Sequence, residues 1–402
     1  MIEKQIRADL RPAFYDDFHC LAAKCRSSCC VGWHITFNKK DYLSLKRQSG
    51  SADLNVRMAD GLRRIRKGPL TIHYGEFTMK GGRCPLLRED CLCALQIEKG
   101  HEALPYVCRS FPRAEIFRPS GYLERSLSPA CEGVLALLWN LNDGVEFRSD
   151  PLPKDKWGSA SFSLDHSLAE HFQDIRSQCI DILQDRRHPL PQRILLLGLA
   201  LKELTVENVD VVHWPAYVQS LSEQVGELSN LTSDNTLPMF LSNHLRLLFS
   251  LPNVDRQFST IRAEIAQSMQ IQIQSDTSLA IIPTEPYLIA RTRFQETFPN
   301  GECFLENLMV ALFFHLCLPD LASSERVWKS YVNFCNLYSF YRFMAVMSCR
   351  EGASGDRDEL FRLLVFSSRN LIHNNVQQTT LRDEFFKNDS ATLAHMAILV
   401  NG

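Results

Sequence analysis

The chain has 402 residues, 45% hydrophobic and 22% charged, with a formal net charge of −2. That is a globular composition with room for two or three cores, and it excludes disorder, collagen-like repeats and coiled-coil arrays. No uncharged apolar run reaches the ~20 residues needed to span a bilayer as a helix. The opening stretch MIEKQIRADLRPAFYDD carries charges where a secretion signal needs an apolar run. A soluble, cytoplasmic protein in a reducing compartment is therefore expected. Charge is unevenly spread: residues up to Cys131 hold 22 basic and 14 acidic side chains, net +8, and the remainder holds 22 and 32, net −10. The densest basic run, Arg63-Arg64-Ile65-Arg66-Lys67, reads as a solvated face, and no nucleic-acid partner is expected from it alone.

Cysteines dominate the front of the chain. Nine of the 14 fall within the first 131 residues. In order they read Cys20-x4-Cys25-x3-Cys29-Cys30, Cys84-Pro-Leu-Leu, Cys91-Leu-Cys93, Cys108-Arg-Ser-Phe-Pro and Cys131. In a reducing compartment such clusters are metal ligands or redox groups more often than disulfides. Structural zinc sites usually show paired C-x2-C knuckles, which this chain lacks, whereas iron–sulfur ligation tolerates irregular spacing. Spacing alone leaves both metals open. The C-x3-C-x2-C of radical S-adenosylmethionine enzymes is absent, as are a glycine-rich dinucleotide loop, a P-loop and H-E-x-x-H. Gly81-Gly82 predicts a tight turn that aims Cys84 inward. A domain with so few large apolar runs is expected to draw stability from metal ligation.

A Pro- and charge-rich stretch, Arg148-Ser-Asp-Pro-Leu-Pro-Lys-Asp-Lys-Trp-Gly-Ser, predicts a linker at about 146–160. It divides a cysteine-rich domain, 1–145, from a helical one, 161–402. Behind it Leu305, Leu308, Met309, Leu312 and Leu316 mark one face of a helix. Trp328, Tyr331, Val332, Cys335 and Tyr338 mark a second, and Leu360, Leu363, Leu364 and Leu371 a third. Such stripes predict packed core. The expected fold is mainly α: a small irregular cysteine-rich metal-binding domain followed by a larger all-helical domain.

Several spaced elements together resemble the flagellin lysine-N-methylase family. They are Phe18-His19-Cys20, Cys25-x3-Cys29-Cys30-x-Gly32-Trp33-x-Ile35, Cys84-Pro85-Leu86-Leu87, Leu92-Cys93-x-Leu95-Gln96, Cys108-Arg109-Ser110-Phe111-Pro112-Arg113 and Ser126-Leu127-Ser128-x-x-Cys131. Weaker likeness continues at Glu306-Asn307-Leu308 and Ser368-Arg369. The cysteine-rich front in turn resembles small zinc- or iron-chelating proteins that share C-R-x-F-P. The resemblance implies a bacterial enzyme that methylates ε-amino groups of flagellin lysines. It implies S-adenosylmethionine as methyl donor and a [4Fe-4S] cluster, with zinc as the alternative metal. Carried residue by residue, the metal-binding candidates are Cys20, Cys25, Cys29, Cys30, Cys84, Cys93, Cys108 and Cys131. Cys91 stands where the family more often has glycine and is left out. Eight thiols exceed the four of one cubane, so some serve another purpose or a second metal site exists.

Methylation requires an unprotonated lysine, hence desolvation or a neighbouring base. Tyr106, Tyr122 and His101 are candidates for that role, though each also reads as structural. Arg109 and Arg113 are placed to bond cluster sulfurs or a donor carboxylate, or to screen thiolate charge. Trp33 shields a cluster or fills a small core, and His34 and His73 are weaker ligand candidates. The acidic back half suits a lysine-bearing partner. Peripheral contact with a membrane stays open. Two other functions compete: a metal-stabilised docking scaffold without enzymatic activity, and an iron–sulfur redox protein.

Overall fold

Short segments punctuated by glycine and proline build the front of the molecule, and long apolar stripes build the back. The structure, a computed structural model, describes residues 2–68, 73–162, 171–204, 213–222, 236–251, 256–271, 282–373, 386 and 390–402. Nine short strands and fifteen α-helices occur among them. The strands all precede residue 163, and beyond it the described elements are helices, so the fold is mainly α with a mixed, cysteine-rich front.

Three small sheets organise that front. Strand β1 (Ile2–Ile6) pairs antiparallel with β9 (Gly158–Phe162). Strand β2 (Ala8–Pro12) lies between β7 (Leu123–Leu127), which it joins in parallel, and β8 (Phe147–Pro151), antiparallel to it. Strand β6 (Arg113–Phe117) completes this sheet on the outer side of β7. The third sheet sets β5 (Gly75–Phe77) between β3 (Ile35–Phe37) and β4 (Leu62–Arg64). The stretch at 146–160 read as a linker thus carries β8 and most of β9. As an edge strand, β8 keeps the side chains of Arg148 to Pro151 in water and needs no apolar alternation. Backbone pairing holds it, helped by an ion pair of 2.6 Å between Arg11 on β2 and Asp150.

Helices α1 (Lys39–Arg47) and α2 (Ala52–Gly61) start at side-chain caps, with Asn38 and Ser51 accepting the amides of Asp41 and Leu54. Helices α3 (Ala94–Lys99), α4 (Tyr106–Ser110) and α5 (Glu132–Trp139) follow the cysteine loops. The back comprises α6 (Phe172–Gln184), α7 (Leu190–Glu203), α8 (Trp214–Ser222), α9 (Leu237–Ser250) and α10 (Arg256–Ser268). It continues with α11 (Glu285–Thr297), α12 (Gly301–His315), α13 (Ser324–Met347), α14 (Arg357–Leu371) and α15 (Leu393–Asn401). The three apolar stripes fall on α12, α13 and α14, and Leu308, Val332 and Leu364 are fully buried. Helix α12 is apolar on nearly every side because α5, α6 and α13 surround it.

Two cores result. The larger unites the back helices with Phe14, Tyr15, Phe18, Leu127 and, on α5, Val134, Leu135 and Leu138. A separate smaller core, made by residues 35–104, gathers Ile35, Phe37, Leu54, Phe77, Leu86 and Leu95. The core division therefore does not follow the boundary at 145. The sequence of α5, EGVLALLW, is too apolar to lie on a surface and is drawn into the larger core.

Candidate metal centre and cavity

The first four cysteines of the set stand on one loop whose shape is fixed from both ends. Cys20 Sγ accepts the amide of Ala22 at 3.4 Å, and Ala22 itself holds φ +48°. Glu132, at the start of α5, accepts the amides of Arg26 and Ser27 at 2.9 and 2.8 Å and lies 3.7 Å from Cys25 Sγ. Arg369 on α14 clasps the same loop, donating to the carbonyls of Ser27 (2.6 Å) and Val31 (3.1 Å). The expected turn before Cys84 is present: Gly81 and Gly82 hold φ +56° and +77°, a region open to glycine at no steric cost. There Gly82 accepts the amide of Gly32 at 2.9 Å, and Cys84 donates its amide to Cys30 at 2.8 Å. These bonds join the first loop to the second.

Cys29, Cys30, Cys84, Cys93 and Cys108 line one cavity of about 540 Å³. Cys29 is exposed along the chain, but its thiol meets that of Cys30, which in turn meets that of Cys84. Cys20, Cys25 and Cys131 do not line the cavity. Cys91 is exposed and also stands outside it. The thiol of Cys29 is raised well above its ordinary pKa, first by its bond to Cys30 and then by burial, and burial also raises Cys93 and Cys108. Burial, with Glu132 beside it, pushes Cys25 up to about 12, and burial lifts Cys131 to about 11. Thiols packed this way ionise together only around a cation.

Among the described residues, no three His, Cys, Asp or Glu side chains converge tightly enough to hold a single ion. Sulfurs bound to one zinc at about 2.3 Å would stand only about 3.8 Å from one another. A cubane presents its irons at separate corners and accepts sulfurs spread farther apart.

The wall opposite the cysteines comes from the larger core. His315 ends α12, and Arg369, Asn370 and His373 come from the end of α14 and the turn after it. Ser126 Oγ shares a hydrogen bond of 2.8 Å with His315 Nδ1, and Ser128 Oγ shares one of 2.8 Å with His373 Nε2. Each imidazole leaves its second ring nitrogen without a hydrogen-bond partner among the described residues. Burial lowers both to about 4, reinforced at His315 by His373 and at His373 by Arg369, so both are neutral at pH 7. Trp33 lies between the walls. Its ring meets Phe111 and His373 edge-on at 5.0 Å each, Arg369 lies 5.3 Å over it, and its Nε1 donates to the Cys29 carbonyl at 2.7 Å.

Arg113 and His34 also line the cavity. Arg109 does not; it bonds Glu102 instead. Tyr106, Tyr122 and His101 lie outside, as does His73, which bonds Thr36 at 2.7 Å. No role was assigned from sequence to His315, His373 or Glu132. A polar residue at the end of a fully buried helix was the one local signal.

Cysteine loops closed by a helical domain around a thiol-lined cavity define a helix-rich protein with a cysteine-rich front. The profile of the FliB lysine N-methylase C-terminal domain matches residues 176–399, more than half of the chain, and the chain belongs to that family. The matched part begins after the last of the eight cysteines. Flagellar biosynthetic protein FliU of Salmonella muenchen is 33% identical over 173 residues, 42% of this chain and 94% of that protein. Lysine-N-methylases of Salmonella typhimurium and Salmonella choleraesuis are each 33% identical over 153 residues, 37% of this chain. The match spans 37% of the length of each of those two relatives. No solved structure matches the chain. No helix among the described residues is long and apolar enough to cross a membrane.

Proposed function

We propose that this chain is a protein-lysine N-methyltransferase that takes its methyl group from S-adenosylmethionine, acts on surface lysines of flagellin, and works in the cytoplasm. We propose further that cysteines lining the cavity hold a [4Fe-4S] cluster. The names of the relatives support lysine methylation. The observation that carries the reading is the cavity itself, where a thiol wall faces two neutral histidines across Trp33 and Phe111. An apolar, aromatic channel disfavours an ammonium and delivers the lysine as a free amine. Its nitrogen then takes the methyl group from the sulfonium, leaving a neutral thioether and releasing one proton. His315 and His373, each steadied by a serine, offer neutral nitrogen atoms that accept hydrogen bonds from that amine and orient it, and the released proton passes to solvent. When bound, a cluster held by the cavity cysteines would supply iron and an electron reservoir. Holding donor and amine together accounts for most of the acceleration a simple transfer needs.

The test begins with anaerobic purification, an absorption spectrum, and iron, sulfide and zinc analysis. Incubation with S-adenosylmethionine and flagellin then follows, with mass spectrometry of the lysines. Methylated lysines formed by the wild type, and formed at least ~100-fold more slowly by His373→Ala with its iron content intact, support the reading. A protein that shows a reversible redox band but no saturable donor heat in calorimetry is a redox protein instead.

A further inference from the structure

Strand β6 starts at the cavity, which Arg113 and Ala114 line, and runs along an outer edge of the four-stranded sheet. Its register against β7 fixes which way each residue faces. Ser128 donates its amide to the Pro112 carbonyl at 2.8 Å, and Arg118 donates to that of Tyr122 at 3.2 Å. Bonded pairs alternate with unbonded ones along an antiparallel ladder, so Ala114 and Ile116 also turn their backbone groups to β7. The amides and carbonyls of Arg113, Glu115 and Phe117 point the other way, and among the described residues they meet no partner. Side chains alternate as well. Pro112, Ala114 and Ile116 share the face of Ser126 and Ser128, which bond His315 and His373. Arg113, Glu115 and Phe117 share the opposite face. Ile116 and Phe117 are exposed, as are Tyr106 and Val107 on α4, just before Phe111-Pro112. Arg113 lies 4.9 Å over the Phe18 ring and donates to its carbonyl at 2.9 Å, but among the described residues it has no carboxylate partner. Glu115 is already paired with Arg125 at 3.1 Å.

We infer that β6 takes an extended segment of the protein substrate as an added antiparallel strand, in which an acidic residue follows the lysine to be methylated. The inference rests on the proposed lysine methylation and states how its substrate is held. An open strand edge recognises any extended backbone, and side-chain positions then select the sequence. A lysine opposite Ala114 stands on the face of the two histidines, beside the cavity that Ala114 lines. The residue after it falls opposite Arg113, and the residue before it opposite Glu115, both on the other face. Because Arg113 still lacks a carboxylate, an acid directly after the lysine completes the pairing. A second copy of this chain is no equivalent occupant, since its own edge, Arg113 to Phe117, carries no lysine to fill the cavity.

Short labelled peptides with a central Lys-Glu pair are to be titrated with the anaerobically purified full chain, read by fluorescence anisotropy, and then assayed for methylation with S-adenosylmethionine. Methylating the backbone nitrogen of the residue before or after the lysine removes a bond to the edge and should weaken binding about 5-fold or more. The same change at the lysine, whose amide points away from β6, should leave binding within about 2-fold. Glu115→Pro deletes one outward amide and spares the ladder to β7, so it should weaken binding by a similar factor. Arg113→Glu should reverse a preference of about 3-fold for Lys-Glu over Lys-Arg. Backbone methylation that weakens binding equally at all three positions, or at none, overturns the inference, and methylation of flagellin then keeps the proposed function. The alternation without any methyl transfer keeps the docked strand and overturns the proposed function. A wild type that binds no peptide overturns the inference whatever flagellin shows. A dimer that Glu115→Pro splits also overturns it, because the edge then belongs to a second copy. Should a variant not fold, the three backbone-methylated peptides decide on the wild type.

Discussion

The two cores of this protein differ in how much apolar surface they bury. The larger one packs apolar side chains from nearly every back helix, and whole helices such as α12 vanish inside it. The smaller one, made by residues 35–104, buries twelve hydrophobic side chains among the described residues, one of them Cys84. So small a core buries little surface, and under the proposed function metal ligation would supply what burial does not. The difference teaches that one chain combines a unit closed by apolar packing with a smaller unit that packs few apolar side chains around many thiols.

Stripping the metal puts the largest strain on this contrast. Structural metal binding is worth about 10–16 kcal/mol in small domains, so chelation under anaerobic conditions is expected to open residues 35–104 to protease. A fragment containing α12 to α14 stays intact. Equal protection with and without metal, read by mass spectrometry of the fragments, refutes the contrast. Glu306→Gln probes the other side. Glu306 is buried and binds Arg193 at 2.6 Å and Arg186 at 2.9 Å. Losing one partner of a buried pair costs about 3–5 kcal/mol. The urea midpoint of the helical unfolding step should fall accordingly, with the metal content unchanged.

Acid distinguishes the cores more gently. His244, hydrogen-bonded to Ser339 and the Phe240 carbonyl, is lowered by burial to about 4. An unfolded histidine titrates near ~6.5, so the unfolded chain binds more protons between those values. Stability of the large core is therefore complete above ~6.5 and is lost as pH falls toward 4, by about 3 kcal/mol from this one group. Urea midpoints across that range should fall less steeply in His244→Gln. The smallest expected effect is on helix caps. Asn38→Ala and Ser323→Ala each remove a side-chain cap worth about 1 kcal/mol. Hydrogen exchange should reveal the loss around α1 and leave the interior of the 24-residue α13 unmoved.

Some of this was legible in the sequence and some was not. The helical stripes at Leu305, Tyr331 and Leu360 were readable because a buried helix must repeat its apolar residues at the period of its turns. The clustering of the cysteines was readable as well, since chemistry-bearing residues are rare and their spacing is conspicuous. Strand β8 was hidden because an edge strand needs only its backbone to pair. The two histidines were hidden for a different reason. His315 meets a serine 189 residues away and His373 one 245 residues away, so no local pattern carries their partnership.

Arg369 gives the two-core arrangement a further meaning. Its guanidinium grows from α14, within the stretch shared with the methylase family, yet it reaches carbonyls at Ser27, Val31 and Ala130 around the first and last cysteines. The front of the molecule is thus no detachable cassette. A chimaera that joins this helical body to a foreign cysteine region will keep both sets of residues and still lose the grip between them, unless the recipient loops offer carbonyls at the same three points. Inheritance of the two halves is coupled through Arg369 together with the serine–histidine bonds at His315 and His373.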